Sequence, residues 1–487
     1  MTLRQRVFGG FVWLTVSSLL VQLITFGTSV ALARLLTPAD FALLAIAMIF
    51  VSLSTILSEF GFGQALIQWP GEVEGAVQTA FVINTVISLA FAAVLYLAAP
   101  MIATYYAAPP VTWVVRAMSL NLLLTGISIV PGSLLERRMH FRARARGEIW
   151  GQVAYALVSV PLAWWGVGVW SLVAGILVST GLRSAIFWRA AAVRVALHLD
   201  RQAAGRLLRF GRHLVLISLM LFAINRLDIF YLGKVTTLAE VGYYGLALST
   251  VNLTVDLVTS VLARVTFPAF SQLQQDWGQI GRVYLRAMRL TGYITLPMIL
   301  GLMAVAPAGI IGLYGEQWEP AVALTRILCV FALFRTLGRL VGNIFTATGR
   351  PGVTTQLAAV RLVILVTLMV GLGALWQTPG VAWAVSLSMA LSGGWSLWLT
   401  NRYLGISHRR FWSAIRPQLM AATGMGILVA WIASYLPHSL PALAALVLAG
   451  IACYAVLLWL LDRAGIQREI HDLWLLVCER IRPNLTV

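Results

Sequence analysis

Apolar residues fall in runs of roughly 20 from one end of the chain to the other, separated by short polar segments, and a run of that length crosses a hydrocarbon core of about 30 Å as a helix. The pattern predicts helices over about 10–32, 41–58, 76–99, 112–133, 149–165, 167–188, 212–233, 241–268, 289–313, 321–345, 353–376, 379–401, 417–436 and 440–461. The first run is longer than a signal-peptide core and has no small-residue cleavage pattern, so it reads as a retained span. The expected fold is therefore all-α, a polytopic membrane protein with about 14 transmembrane helices.

Charge supplies the orientation. With the N-terminus inside, 26 Arg residues fall in inner segments, densest in Arg137 to Arg146 and Arg183 to Arg212, whereas the outer segments hold only Arg34 and Lys234. Loops kept in the cytoplasm are enriched in such residues, so both termini are expected to be cytoplasmic, in a bacterial inner membrane. The inner loop from Glu59 to Gly75 departs from this by carrying acids alone. The formal net charge of +18 follows from these loops facing anionic lipid and calls for no nucleic-acid partner. Beyond the last span, Ile470, Leu473, Trp474, Val477, Cys478 and Ile481 share one helical stripe, as in a helix lying on a membrane surface. Of 487 residues 60% are hydrophobic and 11% charged, too few charges for a water-soluble domain. Cys329, Cys453 and Cys478 have neither metal-ligand nor disulfide spacing.

A gapless shift of 200 residues lays Ala33–Ala45 over Gly233–Gly245, pairing Arg34 with Lys234, Thr37 with Thr237, and Asp40 with Glu240. Six helices separate the two copies, so the repeat is parallel. It predicts an N-terminal six-helix lobe over 1–198, a second over 199–405, two further helices within 406–465 and a cytoplasmic amphipathic tail over 466–487. Two such lobes are the plan of an alternating-access transporter with its substrate site near the membrane midplane.

Polar stripes mark the candidate site. The first helix carries Ser18, Gln22, Thr25 and Ser29; the second carries Ser52, Thr55 and Glu59. Their repeat counterparts carry Ser218, Asn225, Arg226 and Asp228, and then Ser249, Asn252, Asp256, Ser260 and Arg264. Such residues also serve as interhelical glue, so one alone proves little. Arg335, Arg339, Asn343 and Thr346 recur at spacings of four, four and three on one helical face, and Arg361 follows on the next helix. An Arg at mid-membrane costs roughly 2.5–3.5 kcal/mol, so such residues face protein or water and meet an anion, unless they snorkel to the inner surface. Gln22, Thr25, Asn225, Arg226, Arg335, Arg339 and Arg361 are the candidate substrate contacts. Glu59, Asp228, Asp256 and Arg264 are the candidates for gating or ion coupling.

Taken together, ARLLTPADFALLAIA from Ala33, EFGFGQALIQ from Glu59, RFG from Arg209, NRLD from Asn225, FPAFSQLQ from Phe267 and LYGEQWEPA from Leu313 give the chain a resemblance to the oligosaccharide flippases, the Wzx-type polysaccharide transporters of the multidrug/oligosaccharidyl-lipid/polysaccharide exporter superfamily. The resemblance extends from about Gln5 to Gly405; Ala39 stands where that family usually has Glu. It implies export of a polyprenyl-pyrophosphate-linked repeat unit for exopolysaccharide, capsule or O-antigen synthesis, with membrane lipids, a polysaccharide polymerase and other export machinery as partners. It implies neither catalytic residues nor a cofactor or metal, and leaves a proton or sodium gradient as the candidate driving force. A multidrug exporter of the same fold would instead carry an acid on the cavity face of its first helix, and none is present. A glycan polymerase or ligase would need reactive groups on a sizeable outer loop, whereas these outer connections offer only Asp40, Glu240, Glu316 and Glu319.

Overall fold

The computed structural model describes the backbone of all residues except 1–2, 71–72, 194–198, 273–275, 349 and 482–487. It describes their side chains except those of 3–12, 14–16, 210, 212–213, 257–272, 343, 347, 351, 464, 466 and 468–481. Among the described residues the secondary structure is helical: α1 (Leu3–Leu35), α2 (Pro38–Glu59), α3 (Phe62–Ile67), α4 (Glu74–Tyr105), α5 (Val111–Arg137), α6 (Phe141–Trp164), α7 (Val169–Ala191), α8 (Arg201–Val235), α9 (Leu238–Gln272), α10 (Trp277–Tyr314), α11 (Ala321–Ala347), α12 (Pro351–Tyr403), α13 (His408–Ala433) and α14 (Leu440–Ile481), with a single 3₁₀ turn at Glu316–Trp318.

Eleven of these helices are long and apolar enough to cross a membrane among the described residues. One of them, Gly352–Tyr403, is broken at Gln377 (φ 49°, ψ −125°) and so covers two of the spans expected from hydropathy. α6, with Arg142, Arg144, Arg146 and Glu148 in its first two turns, and α9 correspond to the remaining two. α14 bends likewise at Asp462 (φ −142°, ψ 40°), where the expected last span gives way to the expected tail helix. The side chains of that tail's apolar stripe lie outside the described residues.

Helix starts differ most from the hydropathy reading. α8, α10 and α13 begin about nine to twelve residues before their apolar runs because polar caps set their starts. The side chains of Asp200, Asp276 and Ser407 accept hydrogen bonds from the backbone amides of Gln202, Gln279 and Arg410. Each cap thereby starts its helix in polar sequence ahead of the apolar run. The loop expected from Glu59 to Gly75 contains α3, entered through Phe60 and Gly61, both left-handed.

The chain forms two compact units, one made of Met1–Ser249 with Thr355–Ser388, the other of Thr250–Thr354 with Met389–Val487. In the first, α5 packs against α2, α3, α4 and α7, and its core joins Ile46 and Val51 to Ala99, Val115, Met118 and Val173. Close approach of α4 and α5 depends on Gly126, where a Cβ would lie 2.3 Å from Ser88 Oγ and where Asn84 Nδ2 donates to the glycine carbonyl at 2.7 Å. In the second unit α10 packs against α11, α13 and α14 around Val305, Met425, Val429 and Leu446.

Large apolar side chains cover the outward surfaces, among them Leu97, Met101 and Leu448, a pattern that water would disfavour and lipid would not. Exposed aromatics occur at helix ends: Trp164 and Trp165 at the end of α6, Trp376 at the break in α12, and Trp431 with Tyr435 at the end of α13. These are the positions of an interfacial aromatic belt.

Candidate functional site

Sequence spacing placed Arg335 and Arg339 one turn apart on α11, and the structure gives that face its partners. Arg339 Nη1 donates to Asp256 Oδ1 of α9 at 2.8 Å, and Arg335 Nη2 donates to the same oxygen at 3.3 Å. Arg335 also donates to the Asn252 side-chain oxygen, and its guanidinium lies 5.6 Å from the Phe331 ring centroid. Asn252 and Asp256 are themselves one turn apart, so two i, i+4 pairs on two helices face each other. Two guanidinium groups share one carboxylate, which leaves the cluster with a net positive charge. None of the three charged side chains is fully buried. Such a cluster suits an oxyanion: guanidinium presents a planar fork of donors, and a phosphate can take the place of the carboxylate.

The other predicted residues occupy different surroundings. Asp228 on α8 is 3% exposed and accepts a hydrogen bond from the hydroxyl of fully buried Tyr244 on α9 at 2.6 Å. This hydroxyl and the Ile229 amide, rather than an arginine, donate hydrogen bonds to its carboxyl group. Arg226 is half-buried, and Asn225 is exposed, with its amide donating to the Leu221 carbonyl of its own helix. On α1, Gln22 is half-buried and Thr25 exposed, the latter donating to the Val21 carbonyl. Arg361 is half-buried on α12. The side chain of Arg264 lies outside the described residues.

The two segments paired by the 200-residue shift differ in detail while sharing a plan. Asp40 closes a capping box with Thr37 at the start of α2 and lies beside Gly168, whose Cβ position is 3.1 Å from Asp40 Oδ1. Glu240, in the first turn of α9, accepts from Thr378 Oγ1 at 2.6 Å, at the break in α12. Gly168 and Gln377 have nearly the same backbone conformation, φ 64°, ψ −139° and φ 49°, ψ −125°. In each copy an acid at the start of one helix meets the turn before another. Arg34 is exposed; Lys234 donates to the Tyr105 carbonyl at 2.9 Å.

One charged site escaped the sequence reading. At the ends of α2, α5 and α7 and the starts of α3 and α6, a cavity of about 470 Å³ is lined by Glu59, Glu136, Arg144, Glu148 and Arg183, together with hydroxyls that include Ser133 and Ser218. Arg144 bridges Glu136 and Glu148, the latter at 3.2 Å. Glu59 belonged to the predicted set. Arg144 had counted only as a topogenic loop charge, and the spacing of Arg144 and Glu148, four apart, is the signal that could have marked the pair.

A lipid-compatible surface and long apolar helices with charged clusters held among them define a multi-pass membrane protein. The chain belongs to the polysaccharide biosynthesis protein family, whose model matches residues 31–323. It is 22% identical over 415 residues to the lipopolysaccharide biosynthesis protein WzxC of Escherichia coli, covering 84% of each chain. It is 22% identical over 473 residues to the teichuronic acid biosynthesis protein TuaB of Bacillus subtilis, covering 94% of this chain and 96% of that one. Among solved structures, the inward closed conformation of the lipid II flippase MurJ aligns over 93% of this chain and 99% of its own with a TM-score of 0.79 at 12% identity. An inward-facing multidrug transporter of the MATE family aligns over 79% of this chain and 94% of its own with a TM-score of 0.60 at 15% identity. These likenesses show the fold that the chain shares with those two proteins.

Proposed function

We propose that this protein is a flippase that exports a polyprenyl-pyrophosphate-linked oligosaccharide repeat unit across the bacterial inner membrane by alternating access, for exopolysaccharide, capsule or O-antigen synthesis. The observation that carries the reading is the cluster in the second unit, where Arg335 and Arg339 share Asp256. A pyrophosphate or an acidic sugar is the ligand such a cluster favours, and a cationic drug is one it repels. Family membership and the polysaccharide-biosynthesis names of WzxC and TuaB support the same direction.

Asp256 holds the two guanidinium groups while no substrate is present and is displaced when the pyrophosphate arrives. Within the first unit, Arg226 and Arg361 are the contacts for an anionic group of the substrate, a pyrophosphate or an acidic sugar, and Gln22, Thr25 and Asn225 contact sugar hydroxyls. Glu59, Asp228 and Arg264 serve gating or coupling to a proton or sodium gradient. Both termini are cytoplasmic, in keeping with the distribution of Arg residues, and a polysaccharide polymerase receives the exported unit.

The test is reconstitution in liposomes with a lipid-linked oligosaccharide, scoring its accessibility to a membrane-impermeant glycosidase. The wild-type protein should equilibrate the substrate between leaflets. Arg335→Ala and Arg339→Ala should each slow this by about tenfold or more, the scale expected for losing a charge-assisted contact of 1.5–3 kcal/mol. Equal flipping by well-folded alanine variants would remove the cluster from the substrate path.

A further inference from the structure

Besides its charged sites, the first unit contains an apolar trough of about 410 Å³ between α2, α4 and α8. Leu53 and Leu57, Val94, Ala98 and Met101, and Phe230 contribute to its walls, and Ser54 and Tyr105 are the lining residues with polar side-chain atoms. Val94 is 60% and Met101 77% exposed, so the trough opens sideways, toward lipid. Along α4 it runs from Phe91 to Tyr105, a helical rise of about 21 Å. One leaflet contributes only about 15 Å of a 30 Å core. The trough is therefore longer than the space one leaflet gives an ordinary acyl chain, and suits a longer hydrocarbon.

A cation closes one end. Lys234, the only lysine in the chain, sits at the last turn of α8 with its Nζ 4.6 Å from the Tyr105 ring centroid and 2.9 Å from the Tyr105 carbonyl. An ammonium has three donors, and this carbonyl takes one of them. The wall beneath is aromatic: Tyr105 and Phe230 stack at 5.7 Å between ring centroids, and Phe50 packs edge-on to Tyr106 at 6.2 Å. Gly233 makes this possible, since a Cβ there would lie 2.8 Å from the Tyr106 ring. An amphiphile with an anionic head and a tail longer than one leaflet matches both the length and the charge.

We propose that the α2–α4–α8 trough seats the polyprenyl chain of the substrate, with Lys234 binding the diphosphate at the outer end, as a docking position on the exit side of the transport cycle. This rests on the flippase reading above and adds a site for the lipid moiety. The chain then never leaves the hydrocarbon while the polar head is handled elsewhere in the protein.

Photolabelling tests it. The full-length protein in liposomes of phosphatidylethanolamine and phosphatidylglycerol is exposed to a polyprenyl diphosphate carrying a diazirine on its chain, and labelled peptides are mapped. Label is expected on residues 91–105 of α4 and should be competed by unlabelled polyprenyl diphosphate but not by inorganic pyrophosphate or phosphatidylglycerol. Lys234→Ala should weaken competition by about tenfold, the scale of one charge-assisted contact, and Lys234→Arg should retain most of it. Val94→Trp and Met101→Trp should fill the trough and abolish label. Leu97→Trp, at a 75% exposed position on the same helix outside the lining, is the control that should leave it intact. Label that is competed equally by phosphatidylglycerol, or that survives both tryptophan variants, would show an ordinary lipid coat and overturn the proposal. Wild-type flipping measured in the same liposomes separates the two readings. Specific label without flipping overturns the flippase and retains the trough, while flipping without specific label does the reverse.

Discussion

Asp256 is the residue on which two arginines depend, and its removal differs in consequence from theirs. Asp256→Asn leaves Arg335 and Arg339 without their shared carboxylate, so the cluster gains positive charge. If Asp256 acts as the substrate's competitor, the asparagine variant should bind lipid-linked substrate more tightly and release it more slowly, which a single-turnover flipping assay resolves. A merely structural pair predicts reduced protein in the membrane, restored by exchanging the charges of Asp256 and Arg339. Asp228 belongs to another class. Its buried hydrogen bond from Tyr244 ties α8 to α9, and Tyr244→Phe, which leaves a buried acceptor without this donor, should lower stability by roughly 1–3 kcal/mol, read as an earlier melting midpoint of the purified protein. The face carrying Arg335 and Arg339 was legible because a period of four on a helix is a local property. Their partner Asp256, 79 and 83 residues away, was legible as a gating or ion-coupling candidate but not as the carboxylate these two arginines share, since pairing across helices is a property of packing.

Helices were legible wherever twenty apolar residues sufficed to define them, including the division of α12 near Gln377 and the end of the last span near Asp462. α3 was not, because six residues, FGQALI, carry too few turns for a periodic signal. The break in α12 yields a prediction of its own. At φ 49°, ψ −125° a side chain is disfavoured by about 1–3 kcal/mol, and glycine escapes this while costing roughly 0.5–1 kcal/mol more in chain entropy. Gln377→Gly should therefore raise the melting midpoint slightly. Gly168→Ala, at the equivalent turn, should lower it, because the added methyl group meets both the unfavourable φ and Asp40. Opposite signs at two positions of like geometry would be hard to obtain from unrelated effects.

For the whole molecule, orientation is the property on which the transport direction rests. Cytoplasmic reporters fused after Arg146, Arg201 and Arg410 should be active, and periplasmic reporters should be active after Ala39 and Glu240. A periplasmic signal from the segment between Arg137 and Arg146 would reverse the assignment. Deleting the gene should leave lipid-linked repeat units on the cytoplasmic leaflet with their glycosyltransferases intact, whereas accumulation on the outer leaflet would point to a polymerase. The expected orientation can be read from the charge pattern alone because sidedness depends on the local composition of the loops. The two compact units are another matter, for they take segments from distant stretches of the chain, and no local composition marks a segment such as Thr355–Ser388 as belonging with the first 249 residues.

That interrupted connectivity bears on how the protein is made. Glu240 accepts its hydrogen bond from Thr378, which lies 138 residues later in the chain. At about 5–20 residues per second, the ribosome needs roughly 7–28 s to reach Thr378 after Glu240 has been translated. During that interval the α8–α9 hairpin has its acid in place and no hydroxyl to receive. The first unit can close only when Thr355–Ser388 has been delivered to the bilayer, so the nascent protein waits, partly assembled, through about a quarter of its own synthesis.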